Sequence, residues 1–253
     1  MNSADCSAHL QHSPQPLEVL ALEAPAGRQY AAHAHRRGQL LYATDGLLTV
    51  GTEDGEWVVP PQRAIWLPPD FPHRVSALTP VQVRSVFIEP GAHPALLLEA
   101  EVVAVSALLA ALLDAALAQP EAVRRAHIDA LLLDEIAAAP VLSLHIPLPQ
   151  HAALAERCRQ WLERPADAAT LSDWADALAM HPRTLARLFQ RQTGYTFGHW
   201  LREARLILSL TALARGTPVL TVALEHGYDS PSAFSAAFRR AFGAPPSHFL
   251  PPS

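Results

Sequence analysis

The hydrophobic pattern of this chain changes period near residue 96. From Leu17 to Glu89 the sequence consists of short segments in which apolar and polar residues alternate, and turn residues such as Asp45-Gly46 separate them. Several short alternating segments at regular spacing predict antiparallel strands in a β-barrel or a sandwich. Beyond Leu96 the apolar residues recur every three or four positions, which indicates helices. We therefore predict an α+β fold with an N-terminal antiparallel β-barrel over residues 1–95.

Two long segments rich in Ala and Leu follow the predicted barrel. The second restarts at Pro120, a residue suited to the first turn of a helix. We predict that they form a helical pair over residues 96–140. Both segments are too apolar to lie alone in water, so they pack within the chain or against a second copy of it. In the second alternative, Leu108, Leu109, Leu112 and Leu113 form the dimer seam.

The remainder of the chain differs from the first half in charge. Three prolines from residue 140 to residue 149 resist helix formation, so residues 141–151 are predicted to be a linker, and helical periodicity continues over 152–253. Residues 1–149 contain 8 Arg and 16 acidic residues, whereas residues 150–253 contain 11 Arg and 8 acidic residues. Only the C-terminal half is positive, as a surface that approaches nucleic-acid phosphates must be.

Several classes of protein are excluded by composition. The first residues lack a basic start followed by an apolar core, and the longest apolar run is interrupted by Asp114. Neither a secretion signal nor a membrane span is therefore expected. Cys6 and Cys158 are far apart in sequence, which argues against a disulfide framework and against a cysteine zinc site. These features favour a cytoplasmic protein with no membrane partner.

The segment that begins at Thr170 has the pattern of a helix-turn-helix motif. Thr170 is placed to cap a short helix, with Asp173 at capping-box spacing, and Pro182 is placed to open a second helix after a tight turn. That second helix buries its apolar residues and leaves a polar face of Arg183, Thr184, Arg187 and Arg191. Exposed arginines near the N-terminus of the second helix fit a recognition helix that enters the DNA major groove.

The same plan recurs near the C-terminus. Thr217 and Pro218 start a helix, Gly227 supplies a left-handed residue at its end, and Ser230-Pro231 starts the next helix. One long helix joins the two motifs. A single motif of this kind is a weak signal, but the duplication predicts an all-α domain with two helix-turn-helix motifs.

The last hundred residues, including "ALEHGYDSPSAFSAAFRRAFGAPPSHF", resemble the DNA-binding domain of the AraC/XylS family of transcription regulators. The resemblance implies seven helices and two motifs that enter successive major grooves of double-stranded operator DNA. Alanines at 233 and 236 stand where the family often has polar side chains, so we expect the first motif to provide most of the sequence discrimination. The predicted DNA-contacting residues are Arg183, Thr184, Arg187, Arg191, Ser232, Ser235 and Arg239.

The N-terminal strands resemble a cupin barrel, which often serves as the effector domain in this family. The first cupin motif is matched by His33, His35, Gln39 and Gly46, and the second by Pro68, Asp70 and His73, with Gln39 in place of Glu and Asp70 in place of Gly. The resemblance implies a cluster in which three imidazoles and the Gln39 carbonyl oxygen face the barrel interior. Such a cluster would hold a divalent Ni, Zn, Fe or Mn ion, although Gln39 brings no negative charge. The alternative is an organic effector bound without metal.

An effector in the barrel is predicted to contact His33, His35 and His73. Aromatic side chains commonly form the walls of such pockets, which adds three candidates: Tyr42, Trp57 and Trp66. For these three residues, packing in the core is the alternative.

The prediction is therefore a cytoplasmic, homodimeric transcription regulator that is not an enzyme. It binds operator DNA, responds to a small molecule or a metal ion, and contacts RNA polymerase if it is an activator. One alternative is a metal-dependent cupin enzyme of the dioxygenase or isomerase type with a DNA-binding appendage. Another is a DNA-architectural protein in which the barrel serves only for dimerisation.

Overall fold

The computed structural model of the chain describes residues 12–52, 55–142, 144–162, 164–165, 167–242 and 244–250. The chain divides into two compact units. The N-terminal unit comprises residues 1–52 and 57–144, and the C-terminal unit comprises residues 53–56 and 145–253. Cys6 lies outside the described residues.

The described part of the chain up to residue 142 contains short strands joined mainly by tight turns. They are β1 (Leu17–Ala24), β2 (Gln29–His33), β3 (Gly38–Asp45), β4 (Leu48–Gly51), β5 (Gly55–Val59), β6 (Arg63–Leu67), β7 (His73–Ala77), β8 (Val81–Ile88), β9 (Glu101–Ala104) and β10 (Val141–Leu142). One sheet has the order β1-β8-β3-β6-β9-β10, and the other contains β5-β4-β7-β2.

The predicted α+β class is confirmed, but the β part is an open sandwich and not a closed barrel. Strands β1 and β2 are consecutive in sequence, yet each lies at the edge of a different sheet. β1 pairs with β8, and β2 pairs with β7, both in antiparallel fashion. Because the two edges do not pair with each other, a gap remains between the sheets on this side.

Strand β3 lies inside the larger sheet and separates two environments. It pairs with β6 on one side and with β8 on the other. Side chains alternate across a strand, so Leu40 and Tyr42 face one core while Gln39 and Leu41 face the space between the sheets. The sequence positions of β3 thus assign each side chain to one of two interiors.

The helical pair begins later than predicted. Helix α1 spans Ala107–Leu117 and helix α2 spans Ala122–Ala137, while the preceding residues Glu101–Ala104 form β9. The expectation of helix from Leu96 was wrong for this segment. Val102 and Val103 are both buried, so this strand lacks the alternation of apolar and polar residues by which a half-exposed strand is recognised in a sequence. Helix α1 starts after Ser106, whose hydroxyl accepts a hydrogen bond from the Leu109 amide at 2.9 Å.

The two helices cover the outer face of the larger sheet. The apolar face of α1 is buried within the chain, against sheet residues that include Leu40, Trp66 and Val86. Three members of the predicted dimer seam, Leu109, Leu112 and Leu113, belong to this core, whereas Leu108 is 51% exposed. Of the two alternatives for these leucines, packing within the chain is therefore found for three of the four.

The predicted linker contains regular structure. β10 pairs with β9, and a further strand, β11, spans His145–Pro147. Leu144, Ile146 and Leu148 are buried, so this segment is anchored by apolar side chains. The prolines at 140, 147 and 149 exclude helix, but they do not prevent short strands.

The C-terminal unit is helical. Its elements are α3 (Ala152–Leu162), α4 (Leu171–Ala177), α5 (Pro182–Thr193), α6 (Phe197–Ala214), α7 (Val219–Glu225), α8 (Pro231–Phe242) and a 3-10 helix at Pro246–Phe249. Trp200 of α6 lies at the centre, with ring centroids of Trp161 and Phe189 at 5.5 and 5.6 Å. Its indole N–H donates to the Pro147 carbonyl at 2.7 Å, so the polar atom of this buried ring is satisfied. None of the described helices combines the length and apolar character that crossing a bilayer requires.

Candidate functional site

A cavity lies in the N-terminal unit where the sandwich is open between β1 and β2. Its empty volume, measured with the open mouth, is about 690 Å³. Most of its wall is apolar and comes from both sheets, including Leu20, Leu41, Leu48, Val75, Val83 and Phe87. Its polar lining consists of Glu23, Tyr30, His33, His35, Gln39 and His73. An apolar cleft with a few convergent polar groups is the usual form of a small-molecule site.

The fold brings the three predicted histidines together. His33 at the end of β2 is paired with His73 at the start of β7, next to a register shift in β2, and their ring centroids lie 4.4 Å apart. His35 follows β2, and its ring centroid lies 5.2 Å from that of His73 and 5.9 Å from that of His33. One ring nitrogen from each residue lies within 4.8 Å of the other two. The histidine part of the predicted site is therefore assembled.

Backbone carbonyl groups determine which ring nitrogen each histidine can offer. Nδ1 of His33 donates to the Ala31 carbonyl at 2.8 Å, Nδ1 of His35 to the Arg37 carbonyl at 2.6 Å, and Nδ1 of His73 to the Phe71 carbonyl at 2.8 Å. With the proton on Nδ1, a neutral ring carries its lone pair on Nε2. Metal-ligating histidines show this arrangement, because the second hydrogen bond fixes the ring and its tautomer.

His73 is the most buried of the three, with 1% of its surface exposed. Burial lowers the pKa of its imidazole to about 4, so the ring is neutral at neutral pH. Among the described residues, its Nε2 has no hydrogen-bond partner. A buried, unpaired acceptor carries a free-energy cost that a bound ligand would remove.

Gln39 connects this cluster to β8. Its side-chain oxygen lies 2.9 Å from His35 Nε2, and its side-chain nitrogen donates to the Ser85 hydroxyl at 2.8 Å. Both residues are buried, with Gln39 7% exposed and Ser85 fully buried. Sequence reasoning missed Ser85, because its position beside Gln39 depends on the pairing of β3 with β8.

The predicted aromatic walls are not part of this cavity. Tyr42 and Trp66 lie on the opposite face of the larger sheet, in the core with the helices, and the Trp66 indole donates to the Leu97 carbonyl at 2.8 Å. Trp57 packs with its ring centroid 6.2 Å from that of Phe71 and does not line the cavity. The predicted effector contacts of all three residues are corrected accordingly, and strand alternation is the reason for Tyr42 and Trp66. The aromatic rings that do line the cavity belong to Tyr30 and Phe87.

In the C-terminal unit, α4 and α5 form the first helix-turn-helix motif. The Thr170 hydroxyl accepts from the Asp173 amide at 3.1 Å, which confirms the predicted cap, and α5 starts at Pro182 as expected. His181 caps α5, since its Nδ1 accepts a hydrogen bond from the Arg183 amide at 3.2 Å. Leu185 and Phe189 of α5 are fully buried. The opposite side exposes the predicted DNA-contacting residues Arg183, Thr184, Arg187 and Arg191.

Helices α7 and α8 form the second motif. Gly227 ends the turn after α7 with a φ of 75°, in the left-handed region as predicted. The Ser230 hydroxyl accepts from the Ala233 amide at 3.2 Å and caps α8. Ser232 and Arg239 are exposed, Ser235 is half-buried, and Phe234 and Phe238 are fully buried. Both motifs therefore bury the apolar side of their second helix.

Comparison with protein families agrees with this arrangement. Residues 16–163, more than half of the chain, match the model of the AraC-like ligand binding domain, and residues 174–251 match a helix-turn-helix domain. The chain belongs to the AraC family of transcription regulators. The cavity thus lies within the matched ligand-binding domain. The matched helix-turn-helix domain contains the whole second motif of this AraC-family protein and all of the first motif except the start of α4.

Its relatives are named as regulators. The HTH-type transcriptional regulator NimR of Escherichia coli is 32% identical over 221 residues, covering 86% of this chain and 81% of NimR. The HTH-type transcriptional regulator RipA of Corynebacterium glutamicum is 33% identical over 103 residues, covering 41% of this chain and 31% of RipA. The structure of ToxT from Vibrio cholerae covers 93% of this chain and 98% of its own, with a TM-score of 0.39 and 11% identity. The AraC-family protein is accordingly a transcription regulator, as the names of its relatives indicate.

Proposed function

We propose that this regulator recognises a specific operator through α5, uses α8 mainly to hold the DNA backbone, and responds to a small molecule bound in the N-terminal cavity. The observation that supports DNA reading by α5 is its exposed face, where Arg183, Thr184 and Arg187 project on the side opposite the buried Leu185. Arginine can form bidentate hydrogen bonds with guanine in the major groove. In α8 the corresponding positions are occupied by serine and alanine, which read bases less specifically.

Operator recognition is tested with the full chain. Selection from a random duplex library should enrich one sequence, and a footprint should show protection of two adjacent major grooves. The double variant Arg183→Ala, Arg187→Ala should lose the footprint and keep the helical circular dichroism of the wild type. A normal footprint from the double variant would contradict the assignment of α5.

The assembly and location of the protein are also proposed. A homodimer would bind two half-sites and gain affinity through a high effective concentration of the second DNA-binding domain. We propose a cytoplasmic location, where the operator DNA is found, and contact with RNA polymerase if the protein activates transcription. Sedimentation with and without operator DNA tests the dimer.

The histidine cluster is proposed to hold a divalent Ni, Zn, Fe or Mn ion. Three neutral imidazoles with their Nδ1 protons already donated fit such an ion, and the buried, unpaired Nε2 of His73 supports it. Zn–N distances are about 2.0–2.1 Å, so binding would draw the three nitrogens closer than their present separation. Elemental analysis of protein purified without chelator, compared with His33→Ala and His73→Ala, tests the ion.

An effect of the effector on DNA binding separates this function from a purely architectural role. Operator affinity should change when the cavity is filled, and substitutions that fill the cavity, such as Val83→Trp, should alter that response. Operator affinity that stays constant in every ligand condition would favour an architectural protein.

A further inference from the structure

We infer that the effector is a small, mainly apolar anion. It is recognised beside the divalent ion of the histidine cluster, whose side-chain ligands are all uncharged. This inference rests on the proposed function, in which the cavity receives the effector and the histidines receive a divalent ion. Ser85 is assigned as the residue that positions the fourth ligand, the side-chain oxygen of Gln39.

The first step concerns the charge of the cavity. Among its described lining residues, Glu23 carries the only carboxylate, and neither Arg nor Lys contributes to the wall. Glu23 is exposed, in the β1 edge strand, whereas Gln39 and His73 lie buried in the sheets. Among the described lining residues, no side chain therefore carries a fixed positive charge that would attract a negative group.

The second step concerns the hydrogen bonds of Gln39. His35 already donates its Nδ1 proton to the Arg37 carbonyl, so in the neutral ring the Nε2 atom is an acceptor. The Gln39 oxygen, 2.9 Å from that Nε2, is also an acceptor, while the Gln39 nitrogen donates to Ser85. Turned over, the Gln39 amide donates its N–H to His35 Nε2 and accepts from the Ser85 hydroxyl, so both groups are satisfied without a ligand. With its oxygen toward His35, the same amide presents a second acceptor beside the Nε2 lone pair, as a shared cation requires.

The third step concerns His73, which Gln39 does not satisfy. The Nε2 of this buried ring lacks a partner among the described residues, and one ring nitrogen each of His33, His35 and His73 lies within 4.8 Å of the other two. A cation at this point can be shared by all four side chains of the cluster. Three imidazoles and an amide oxygen form a ligand set suited to a divalent transition-metal ion.

The fourth step concerns the charge that remains. All four ligands are neutral, so the ion keeps its full positive charge inside an apolar cavity, where charges are poorly screened. A single negative group on a ligand would be attracted strongly to that position. The apolar walls of Leu41, Val75 and Phe87 then favour a hydrocarbon body behind the negative group.

The experiment uses the full-length protein and isothermal titration calorimetry. Zn²⁺ is titrated first. Cyclohexanecarboxylate and its uncharged amide, cyclohexanecarboxamide, are then titrated into Zn²⁺-loaded and Zn²⁺-free protein. We expect one Zn²⁺ to bind per chain and the carboxylate to bind only to the Zn²⁺-loaded protein. The affinity of the loaded protein for the amide should be at least tenfold lower than for the carboxylate.

Variants of the cluster sharpen the test. Gln39→Glu should bind Zn²⁺ more tightly and the carboxylate roughly tenfold more weakly, because the added negative charge neutralises part of the ion's charge. Ser85→Ala should weaken Zn²⁺ binding by about 10- to 100-fold, as loss of a group that orients a metal ligand does. Gln82→Glu on the exposed side of β8 and His127→Ala on the surface of α2 are the matched controls, and both should behave as wild type.

The outcomes separate the inference from the proposed function. No binding of Zn²⁺, Ni²⁺, Mn²⁺ or Fe²⁺ would overturn both the ion and the inference, and operator binding would stand. One Zn²⁺ per chain with equal binding of carboxylate and amide, or with no metal-dependent binding of either, would overturn the anionic effector and keep the ion. Equal behaviour of Gln39→Glu and wild type would remove Gln39 as a ligand and overturn the neutral-ligand argument.

Discussion

The two helix-turn-helix motifs share a backbone plan and differ in the chemistry of their turns. Each turn contains a histidine. His181 is exposed, and its Nδ1 accepts a hydrogen bond from the Arg183 amide at the start of α5. His226 is 6% exposed, and its Nδ1 donates to the Val222 carbonyl within α7 at 2.9 Å. His181 thus caps the start of α5, whereas His226 satisfies a carbonyl group near the end of α7.

The surfaces of the second helices differ as well. Arginine occurs from the first turn of α5 onward, while the arginines of α8 lie only in its last turn, at positions 239 and 240. A recognition helix inserts its N-terminal residues into the groove, so arginines in the last turn are better placed for the phosphate backbone. The comparison teaches that two motifs with the same plan can each bury an apolar core and still expose different side chains, and the roles proposed for α5 and α8 rest on that difference.

The largest expected effect is on sequence reading by α5. Arg187→Ala should weaken operator binding by about 10- to 100-fold, because one bidentate arginine contact contributes roughly 1–3 kcal/mol of base discrimination. Ser232→Ala in α8 should change it by no more than about threefold. Fluorescence anisotropy with operator and scrambled duplexes measures both, with Arg215→Ala beyond the end of α6 as the control. Larger loss in Ser232→Ala than in Arg187→Ala would reverse the assigned roles.

The turns provide the next test, because each contains a residue with positive φ. Gly227 has a φ of 75°, and an added Cβ would lie 3.3 Å from the Arg205 guanidinium, whereas Ala179 of the first turn has a φ of 52°. Gly227→Ala should therefore lower the free energy of unfolding by about 1–2 kcal/mol, and Ala179→Gly should raise it by up to about 1 kcal/mol. Urea unfolding followed by tryptophan fluorescence measures these opposite signs. Equal shifts of the same sign would contradict the strain argument.

Buried His226 predicts that the second motif contributes a pH-dependent part of the stability. Burial lowers the pKa of His226, so the folded protein binds fewer protons than the unfolded chain near the unfolded pKa of about 6.5. The contribution of the neutral His226 ring to the free energy of unfolding is therefore fully present above about pH 6.5, and it is lost as the pH falls below that value. Between pH 7.5 and pH 5.5, the wild type should lose up to about 1 kcal/mol more unfolding free energy than His226→Gln. Parallel pH profiles of the two proteins in urea unfolding would disprove the effect.

The smallest effect is expected from the end of α8. Arg239→Ala should weaken binding to the operator duplex and to the scrambled duplex by the same few-fold factor. It should also lower the slope of log affinity against log salt by about 1, as loss of one phosphate contact does. Titrations at four salt concentrations measure the slope. A sequence-dependent loss would instead make Arg239 a base contact.

Features that depend on residues close together in sequence could be predicted, whereas features that depend on distant residues could not. The motifs were predicted down to the caps at Thr170 and the turn at Gly227, since caps and turns depend on neighbouring residues. The strand at Glu101–Ala104 was missed because both of its valines are buried and the flanking sequence has helical spacing.

The site shows the same division. The resemblance to the cupin motifs identified the histidines, with His33 and His35 in the first motif and His73 in the second. Ser85 was missed, and Trp66 was assigned to the wrong interior, because the relevant pairings of β3 with β8 and β6 join residues distant in sequence. A sequence pattern reveals alternation along a strand, but the partners decide which face meets which interior.

The alternation along β3 also bears on how this protein can diversify. Gln39 and Leu41 face the cavity, while Leu40 and Tyr42 support the helices on the other side of the sheet. Substitutions at the odd positions can alter what the cavity accepts without disturbing the packing that the even positions maintain. Ligand preference and packing against the helices thus depend on different residues of one strand. A duplicated gene could therefore acquire a preference for a new ligand through changes at a few codons.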